Sequence, residues 1–303
     1  MSRIIDNGKF CDFFDLLGLI PSMIKITNFN EKIVLVTGGS SGIGLAAACL
    51  LAQKGAHVWL LARRGEKLVE ALKKVKAAIQ EPDQSCGMLE TDVTSEKQVN
   101  QAIAKIIHSI GLPDLVINSA GVAHPGYVQD TDLKTFHWMM DVNFFGTVYV
   151  TKALLPGLIR RGSGYIVNIS SMAGFLGVFG YTAYSASKYA VRGFSDVLRA
   201  EMKPHGIGVS VVFPPDTDTP QLAYEKQFKP AETSALTANG GMMSAESVAK
   251  SILTGIERGK YLILPGIENK LVYRLSGIFS NAVYPVMDWF IAQAQRKNNS
   301  AGK

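Results

Sequence analysis

Short apolar runs alternate with helix-forming stretches over most of the chain. Residues 33–36 form a β-branched run without polar alternation, which is typical of a strand buried on both faces of a parallel sheet. Similar runs predict six further strands, at residues 57–61, 89–93, 114–118, 164–169, 208–213 and 261–264. Helices are expected between them, at 45–53, 65–80, 95–110, around 141–146, 184–203 and 244–258. The pattern predicts a single doubly wound α/β domain with a seven-stranded parallel sheet, helices on both faces and ligand at the carboxyl ends of the strands.

An apolar segment precedes this pattern. Residues 10–26 carry apolar side chains at roughly helical spacing. Three aspartates, Asp6, Asp12 and Asp15, interrupt what would be the apolar region of a secretory signal. We therefore expect residues 1–30 to form an N-terminal segment, here called the N-terminal arm, which either docks on the core or lies at a membrane interface.

A second apolar segment, residues 271–291, lies in an extension that covers residues 267–303. Its longest charge-free stretch, 275–287, has 13 residues, fewer than the ~18 needed to span a bilayer. Pro285 falls inside it, and Arg274 and Asp288 bound it. Two interpretations stay open: a helix at a membrane interface, or a helix that covers the core or contacts another subunit.

Composition and charge exclude several classes of protein. Of the 303 residues, 47% are hydrophobic and 18% are charged, as in ordinary globular proteins. The net charge of +6 is mild and comes without a block of lysines and arginines, so we expect no nucleic-acid partner. The three cysteines are far apart and lack the spacing of metal ligands, which predicts a reducing compartment and no metal site. We expect a cytoplasmic protein, peripheral on the cytosolic face of a membrane if the apolar segments bind lipid.

A glycine-rich turn, Thr-Gly-Gly-Ser-Ser-Gly-Ile-Gly at residues 37–44, joins the first predicted strand to the first helix. Gly38 allows a tight turn, Gly42 lets a diphosphate approach the backbone, and Gly44 lets helix and strand pack closely. Strand, glycine turn and helix in this order predict a Rossmann-type fold with a dinucleotide site. The residues of the turn expected to bind the cofactor are Thr37, Gly38, Ser40, Ser41, Gly42, Ile43 and Gly44.

The ends of the next strands supply further candidates for cofactor binding. A site for NAD would place an acid after the second strand, to bind the ribose 2′-hydroxyl. Ala62 stands at that position, and Arg63 supplies a planar cation suited to a 2′-phosphate, which favours NADPH unless the arginine is only a solvated loop residue. Asp92 and Val93 end the third predicted strand, where Asp92 could accept a hydrogen bond from the adenine amino group.

Tyr184 and Lys188 are four positions apart, so a helix would place them on one face. A cation beside a tyrosine favours the phenolate and lowers its pKa from ~10. Such a tyrosine can donate a proton to a developing alkoxide, and a nearby serine hydroxyl can hold the same oxygen. The pair alone is a weak signal, because roughly 0.7 Tyr-x-x-x-Lys matches are expected by chance in this composition.

Together, these motifs resemble the short-chain dehydrogenase/reductase family over roughly residues 31–266. The matching features are the glycine turn, the Asn-Ser-Ala-Gly turn at 118–121, Asn143, Ser171, Tyr184 and Lys188, in the family order and spacing. The resemblance implies that Tyr184 is the general acid, that Ser171 polarises a substrate carbonyl, and that Lys188 binds the nicotinamide ribose and lowers the tyrosine pKa. It implies a proton relay through Asn143 and a bound water. Ser171 is preferred to Ser170 because the family places its serine thirteen residues before the tyrosine.

The resemblance also implies further cofactor contacts, a substrate lid and an oligomer. The additional cofactor contacts are Asn118, Ala120, Gly121, Tyr184, Lys188, Pro214, Thr217 and Thr219. The lid would cover residues 220–243 and close over the cofactor. Members of the family are usually dimers or tetramers, so a homo-oligomer is expected.

A narrower resemblance lies in Pro-Pro-Asp-Thr-Asp-Thr-Pro at residues 214–220, which is similar to the 3-ketodihydrosphingosine reductases. These enzymes use NADPH to reduce the 3-keto group of a long-chain sphingoid base. The wider family usually has glycine where this chain has Pro215, and proline fixes φ and removes an N–H. The expected activity is NADPH-dependent reduction of a lipophilic ketone to a secondary alcohol. The alternatives are a different ketone, such as a hydroxysteroid or a 3-oxoacyl thioester, or an NADP(H)-binding protein without catalysis.

Overall fold

The computed structural model describes residues 23–237, 241–278 and 283–301. Within these ranges the strands are β1 (Ile33–Thr37), β2 (His57–Ala62), β3 (Cys86–Glu90), β4 (Leu115–Asn118), β5 (Gly164–Ile169), β6 (Ile207–Val212), β7 (Thr217–Asp218), β8 (Met243–Ser244) and β9 (Leu262–Ile263). The α-helices are α1 (Gly42–Gln53), α2 (Gly65–Ala77), α3 (Glu96–Ile110), α4 (Leu133–Met140), α5 (Gly146–Arg161), α6 (Thr182–Met202), α7 (Pro220–Glu225), α8 (Ala231–Thr237), α9 (Ala245–Glu257), α10 (Ile267–Ile278) and α11 (Val283–Ala301).

Seven of these strands form one parallel sheet in the order β3-β2-β1-β4-β5-β6-β9. The predicted doubly wound, Rossmann-type sheet is therefore confirmed. The order of strands reverses between β1 and β4, and the ligand crevice of a doubly wound sheet lies at such a switch point. β7 and β8 form a separate parallel pair beside the lid, with Thr217 opposite Met243.

Both faces of the sheet are covered by helices, which explains the unbroken apolar runs in the sequence. Val34 and Val36 of β1 pack in a core formed with α1, α2 and α9. Leu35 points the other way, into a core formed with α3, α5 and α6. All three side chains are fully buried. Because neighbouring strand residues face opposite sides, a strand covered on both sides needs no polar alternation.

β3 and α2 end earlier than predicted, because side chains in the turns that follow them bond to the backbone. β3 ends at Glu90, before the predicted 93, because the Asp92 carboxylate turns the chain by accepting hydrogen bonds from the backbone N–H and hydroxyl of Thr94, at 3.0 and 2.8 Å. α2 ends at Ala77, before the predicted 80, and the Gln84 side-chain oxygen accepts the backbone N–H of Gln80 at 2.8 Å. Such side-chain bonds offer the backbone an alternative to continuing the helix or strand.

One helical stretch in the described part of the chain, Leu133–Arg161, is long and apolar enough to cross a membrane. It consists of α4, a π-helical segment at Asp141–Phe145, and α5. Val150, Leu154 and Leu158 of this stretch are buried in the core on the second face of the sheet. Its apolar composition is therefore that of a core helix.

The two terminal extensions are described in part. Phe29 is buried, and Ile24 and Ile26 pack against the core on the first face of the sheet. The end of the predicted N-terminal arm therefore docks on the domain. Residues 10–22 of that arm lie outside the described residues. In the C-terminal extension, α11 packs on α8. The exposed large apolar side chains of α10 and α11 include Ile267, Leu271, Ile278, Tyr284, Val286 and Trp289.

Candidate active site

A cavity of about 1350 Å³ opens at the carboxyl ends of the strands, beside the switch point between β1 and β4. Most residues predicted to bind the cofactor lie in its wall. They are Gly38, Ser40, Ser41, Gly42, Ile43, Arg63, Asp92, Val93, Ala120, Gly121, Tyr184, Lys188, Pro214, Thr217 and Thr219. Because parallel strands all end at the same edge of the sheet, loops far apart in sequence meet there.

The glycine turn leaves no room for side chains at two of its positions. Gly38 has a φ of +64°, and a Cβ on it would lie 2.6 Å from the backbone oxygen of Ser119. A Cβ on Gly44 would lie 2.7 Å from the carbonyl oxygen of Gly38, so α1 begins directly against the turn. Backbone N–H groups at a helix N-terminus bind phosphate well. The turn therefore fits the diphosphate of a dinucleotide.

Three of the predicted cofactor residues, Thr37, Gly44 and Asn118, lie behind the cavity wall and not in it. The Thr37 hydroxyl oxygen accepts the backbone N–H groups of Ser119 and Ala120, at 3.1 and 3.2 Å. The side chains of Thr37 and Asn118 are 2% exposed, because they face neighbouring strands of the sheet. The Thr37 hydroxyl thus holds the turn after β4, and cofactor contact by these three residues stays a prediction.

The cavity wall after β2 carries two arginines, and the wall after β3 carries one carboxylate. β2 ends at Ala62, which has no group to accept a ribose hydroxyl, and the exposed Arg63 and Arg64 follow it in the wall. The Asp92 carboxylate, predicted to face adenine, is engaged by Thr94 while remaining in the wall. This end of the cavity is suited to an anionic group on the ribose.

Tyr184 and Lys188 lie on one face of α6, as the spacing predicts. The Lys188 Nζ is 5.7 Å from the centroid of the Tyr184 ring and donates a hydrogen bond to the carbonyl of Ile169 at 3.0 Å. Ser171 lies in the cavity wall, close enough to Tyr184 to affect the pKa of the tyrosine. The Ser170 hydroxyl points away from the tyrosine and donates to the Lys188 carbonyl at 2.9 Å. Ser171 is therefore the serine beside the tyrosine.

Burial sets the protonation of this pair. It raises the pKa of Tyr184 above its ordinary value, and the charge of Glu225 raises it further, while hydrogen bonds to Ser171 and Gln221 lower it. Burial lowers the pKa of Lys188 to about 8, and Glu225 opposes this shift. The pKa of Tyr184 is therefore raised where a lowered value was predicted, because burial and the charge of Glu225 outweigh the groups that favour the phenolate.

Comparison with known proteins gives the family. The family described as short chain dehydrogenase matches residues 32–230, which include the glycine turn, Ser171, Tyr184 and Lys188. The chain belongs to the short chain dehydrogenase family. The resemblance drawn from the motifs is confirmed.

Individual members of the family are similar over most of the chain. A 3-dehydrosphinganine reductase of Danio rerio is 39% identical over 252 residues, which are 82% of this chain and 76% of that protein. A 3-ketodihydrosphingosine reductase of Bos taurus is 38% identical over 229 residues, 75% of this chain and 69% of that protein. Among solved structures, a short chain dehydrogenase/reductase from Burkholderia phymatum in complex with NAD has the same fold, with a TM-score of 0.73, 24% identity, and coverage of 83% of this chain and 95% of that one.

Membership of the short chain dehydrogenase family implies a nicotinamide cofactor, and the cavity fits one. The glycine turn suits its diphosphate, and Tyr184 and Lys188 line the same cavity. The hydroxyls of Thr217 and Thr219, which were predicted to contact the nicotinamide, form hydrogen bonds with nearby backbone groups. The Thr217 hydroxyl donates to the Pro215 carbonyl at 2.8 Å, and the Thr219 hydroxyl accepts the backbone N–H of Leu222 at 3.3 Å, at the start of α7. Their cofactor contact, like that of Pro214, stays a prediction.

Asn143 lies in the π-helical segment, and its side chain joins three parts of the site. Its amide donates to the Ser187 hydroxyl at 2.8 Å and to the Val122 carbonyl at 2.9 Å, and its oxygen accepts the Val122 N–H at 2.8 Å. A Cβ on Gly121 would meet both this oxygen, at 3.3 Å, and the Lys188 Nζ, at 3.4 Å. Asn143 thus fixes the loop after β4 against α6, and the predicted relay through it stays a prediction.

The sequence reasoning missed a second polar group in the cavity wall, formed by Tyr181, Gln221 and Glu225. The Tyr181 hydroxyl donates to the Glu225 carboxylate at 2.6 Å, and the Gln221 amide donates to its other oxygen at 2.8 Å. Burial raises the pKa of Glu225 above its ordinary value, and its hydrogen bonds oppose the rise. The one signal in the sequence was an acid four positions after Gln221 in the predicted lid.

Beyond this group the cavity continues between the lid and the C-terminal helices. This part of the wall is apolar and comes from α8, α10 and α11. Its residues include Leu236, Val272, Leu275, Val286 and Phe290. We call it the apolar arm of the cavity. It can hold a hydrocarbon chain while the polar end of the same molecule reaches Tyr184.

Proposed function

We propose that this protein reduces the 3-keto group of 3-ketodihydrosphingosine to a secondary alcohol with NADPH. The similarity to reductases named for this substrate supports the proposal. The observation that carries it is one continuous cavity that joins Ser171, Tyr184 and Lys188 to the apolar arm. A molecule with a ketone near its polar end and a long hydrocarbon chain matches both parts of this cavity.

The residues of the chain account for the proton half of the reaction. A nicotinamide held by the glycine turn and Lys188 would supply a hydride for the carbonyl carbon. As the C=O double bond becomes single, the Tyr184 hydroxyl gives its proton to the oxygen, and the Ser171 hydroxyl donates a hydrogen bond to the same oxygen. The Lys188 ammonium stabilises the tyrosinate that remains. The hydride and the proton together convert the ketone to the alcohol.

The wall after β2 supports NADPH as the cofactor. The 2′-phosphate that distinguishes NADPH from NADH would lie where β2 ends. This chain offers Arg63 and Arg64 there and no carboxylate at Ala62. A guanidinium binds phosphate through two parallel hydrogen bonds, whereas a carboxylate at this place would repel it.

A panel of ketones with each cofactor tests the proposal. The substrates are 3-ketodihydrosphingosine, a ketosteroid and a 3-oxoacyl thioester, each with NADPH and with NADH, and the readout is kcat/KM from the loss of nicotinamide absorbance. We expect the long-chain amino ketone with NADPH to give the largest value. A higher kcat/KM for the steroid or the thioester would overturn the proposed substrate. Binding of NADPH without reduction of any ketone would show that the protein binds the cofactor without catalysing the reaction.

The C-terminal helices support a membrane surface as the source of the substrate. α10 and α11 expose Ile278, Tyr284 and Trp289, which are 72, 63 and 56% accessible. The same two helices form the apolar arm through Leu275 and Phe290. An interfacial helix buries its apolar face among lipid chains. A substrate tail could then pass from the membrane into the arm without crossing water, and we propose that the protein is peripheral on a membrane.

A further inference from the structure

The Glu225 carboxylate is buried beside the reacting groups without a cation of its own. Glu225 is 7% exposed and lies in the cavity wall. In the described part of the chain, no lysine, arginine or histidine nitrogen lies within 4.0 Å of it. Lys229, which follows in the lid, is paired with Asp216 at 3.2 Å instead. Burial raises the pKa of Glu225, and the charge of Lys229 opposes the rise only from beyond that distance. A buried carboxylate without a direct ion pair is costly, so its position favours a cation brought by a ligand.

Gln221 lies between this carboxylate and Tyr184 in the lining of the cavity. Its amide donates to Glu225 at 2.8 Å, and all three residues line the cavity. Tyr181, which holds the other carboxylate oxygen, has its ring centroid 5.6 Å from that of Tyr184. The Glu225 carboxylate and Tyr184 therefore lie in the same part of the cavity wall, on either side of Tyr181.

We propose that Glu225 binds the ammonium group of the substrate. This inference rests on the proposed function, because in 3-ketodihydrosphingosine the amine is on the carbon next to the carbonyl. With the carbonyl oxygen on Tyr184, the amine on the neighbouring carbon stays in the part of the cavity that Tyr184 and Glu225 both line. Tyr181 and Gln221 act as positioning residues that aim the carboxylate into the cavity.

The assignment gives Glu225 a role in specificity. An ammonium beside it removes the uncompensated charge, so binding of an α-amino ketone is favoured. A ketone without the amine leaves the carboxylate unpaired and loses this contribution. A competing role is structural: the bond from Tyr181, directly before α6, to Glu225 on α7 could only hold the lid in place. The two roles differ in whether the effect of Glu225 depends on the amine.

The decisive experiment compares two substrates in Glu225→Gln, which keeps the shape of the side chain and removes its charge. The substrates are 3-ketodihydrosphingosine and 1-hydroxyoctadecan-3-one, which has the same chain and lacks the amine. We expect kcat/KM for the amino ketone to fall by roughly 30-fold or more, since loss of one partner of a buried charge pair has effects of this size. For the ketone without the amine we expect a change within about threefold.

Glu232→Gln is the matched control. Glu232 is also a buried lid glutamate, 6% exposed, and accepts a hydrogen bond from the Tyr127 hydroxyl at 2.9 Å, but it does not line the cavity. We expect this substitution to leave kcat/KM for both ketones unchanged. If Glu225→Gln fails to fold, wild-type protein with the N-acetylated amino ketone serves instead, and its kcat/KM should fall by the same roughly 30-fold.

The outcomes separate this inference from the proposed function. If wild-type protein reduces neither long-chain ketone, the proposed function fails. If it reduces the amino ketone and Glu225→Gln lowers kcat/KM for both substrates equally, Glu225 holds the lid and the ammonium assignment is overturned. Full activity of Glu225→Gln on the amino ketone, or of wild-type protein on its N-acetyl derivative, would overturn it as well.

Discussion

Tyr184 and Lys188 show how burial governs the chemistry of single residues. With its pKa raised by burial, Tyr184 keeps its proton at neutral pH, which is the form required of a general acid. Lys188 is 4% exposed, and its pKa of about 8 leaves it largely charged at neutral pH. The cation therefore acts on the tyrosinate formed by proton transfer and not by ionising the tyrosine beforehand.

Removing the Tyr184 hydroxyl should abolish most of the reductase activity. We expect Tyr184→Phe to lower kcat/KM by roughly 10²- to 10⁴-fold, the usual contribution of a positioned acid. NADPH affinity, measured by fluorescence titration, should change much less. Tyr189→Phe is the control, because Tyr189 lies on the same helix, is 43% exposed and is outside the cavity wall. Retained activity in Tyr184→Phe would show that another group supplies the proton.

Lys188 should make the protein's stability depend on pH. Its pKa is about 8 in the folded protein, below the ordinary 10.5. Between these values the unfolded chain binds a proton that the folded chain does not, so this lysine's contribution to the free energy of unfolding rises with pH across that window. Below about pH 8 the full penalty for burying the charge is present.

We therefore expect Lys188→Met to gain stability relative to wild type at pH 7 and to lose that gain as the pH approaches 10. Urea unfolding at pH 7, 8.5 and 10 measures the difference in unfolding free energy. Lys67→Met, at a side chain that is 53% exposed, should show the same difference at each pH. A constant difference for Lys188→Met would mean that its ammonium is not desolvated.

The turn between β1 and α1 depends on the φ angle of Gly38 and on the lack of a side chain there. Gly38 combines a left-handed φ with backbone of Ser119 and Ala120 at the place where a side chain would project. Gly162, at the end of α5, has a similar φ of +69° but open space around it. The two positions therefore separate the cost of a left-handed residue from the cost of a collision.

We expect Gly162→Ala to lower the free energy of unfolding by about 1 kcal/mol, the cost of a left-handed alanine. Gly38→Ala should cost more than this and should also weaken NADPH binding, because the turn must move away from Ser119. Urea unfolding and NADPH titration of both variants measure these effects. Equal destabilisation of the two variants, with normal NADPH affinity in both, would show that the turn accommodates a side chain.

Most elements were predictable because their signals are local. The unbroken apolar runs gave six of the seven main strands within about one or two residues, since both sheet faces are covered. The third strand and the end of α2 were misplaced because single side chains, Asp92 and Gln84, bond to nearby backbone. The π-helical form of the segment that holds Asn143 was missed, because the periodicity of the sequence does not distinguish one widened turn.

At the scale of the whole molecule, the C-terminal extension joins the cavity to an exposed apolar surface. Residues of α10 and α11 contribute both to the apolar arm and to that surface. Lys270 and Arg274 of α10 add positive charge beside it. Apolar side chains flanked by cations are the composition of a helix that binds an anionic lipid surface.

Replacing this surface should release the protein from membranes. We expect the triple variant Ile278→Ser, Tyr284→Ser and Trp289→Ser to lose most binding to vesicles that contain phosphatidylserine, measured by co-sedimentation. A control variant with Val69→Ser, Val128→Ser and Val197→Ser removes side chains that are 43, 57 and 58% exposed elsewhere on the domain. It should bind vesicles normally. Equal vesicle binding by both variants would show that the exposed side chains of α10 and α11 do not bind the membrane.

The sequence by itself determined the features encoded over short distances along the chain. These are the alternation of strands and helices, the glycine turn, and the spacing from Ser171 to Tyr184 and Lys188. Only the tertiary structure placed Tyr181 and Glu225 together, 44 residues apart in the chain, and joined the apolar arm to the catalytic group. It also reversed the expected direction of the Tyr184 pKa shift, because desolvation depends on what the complete fold packs around a side chain.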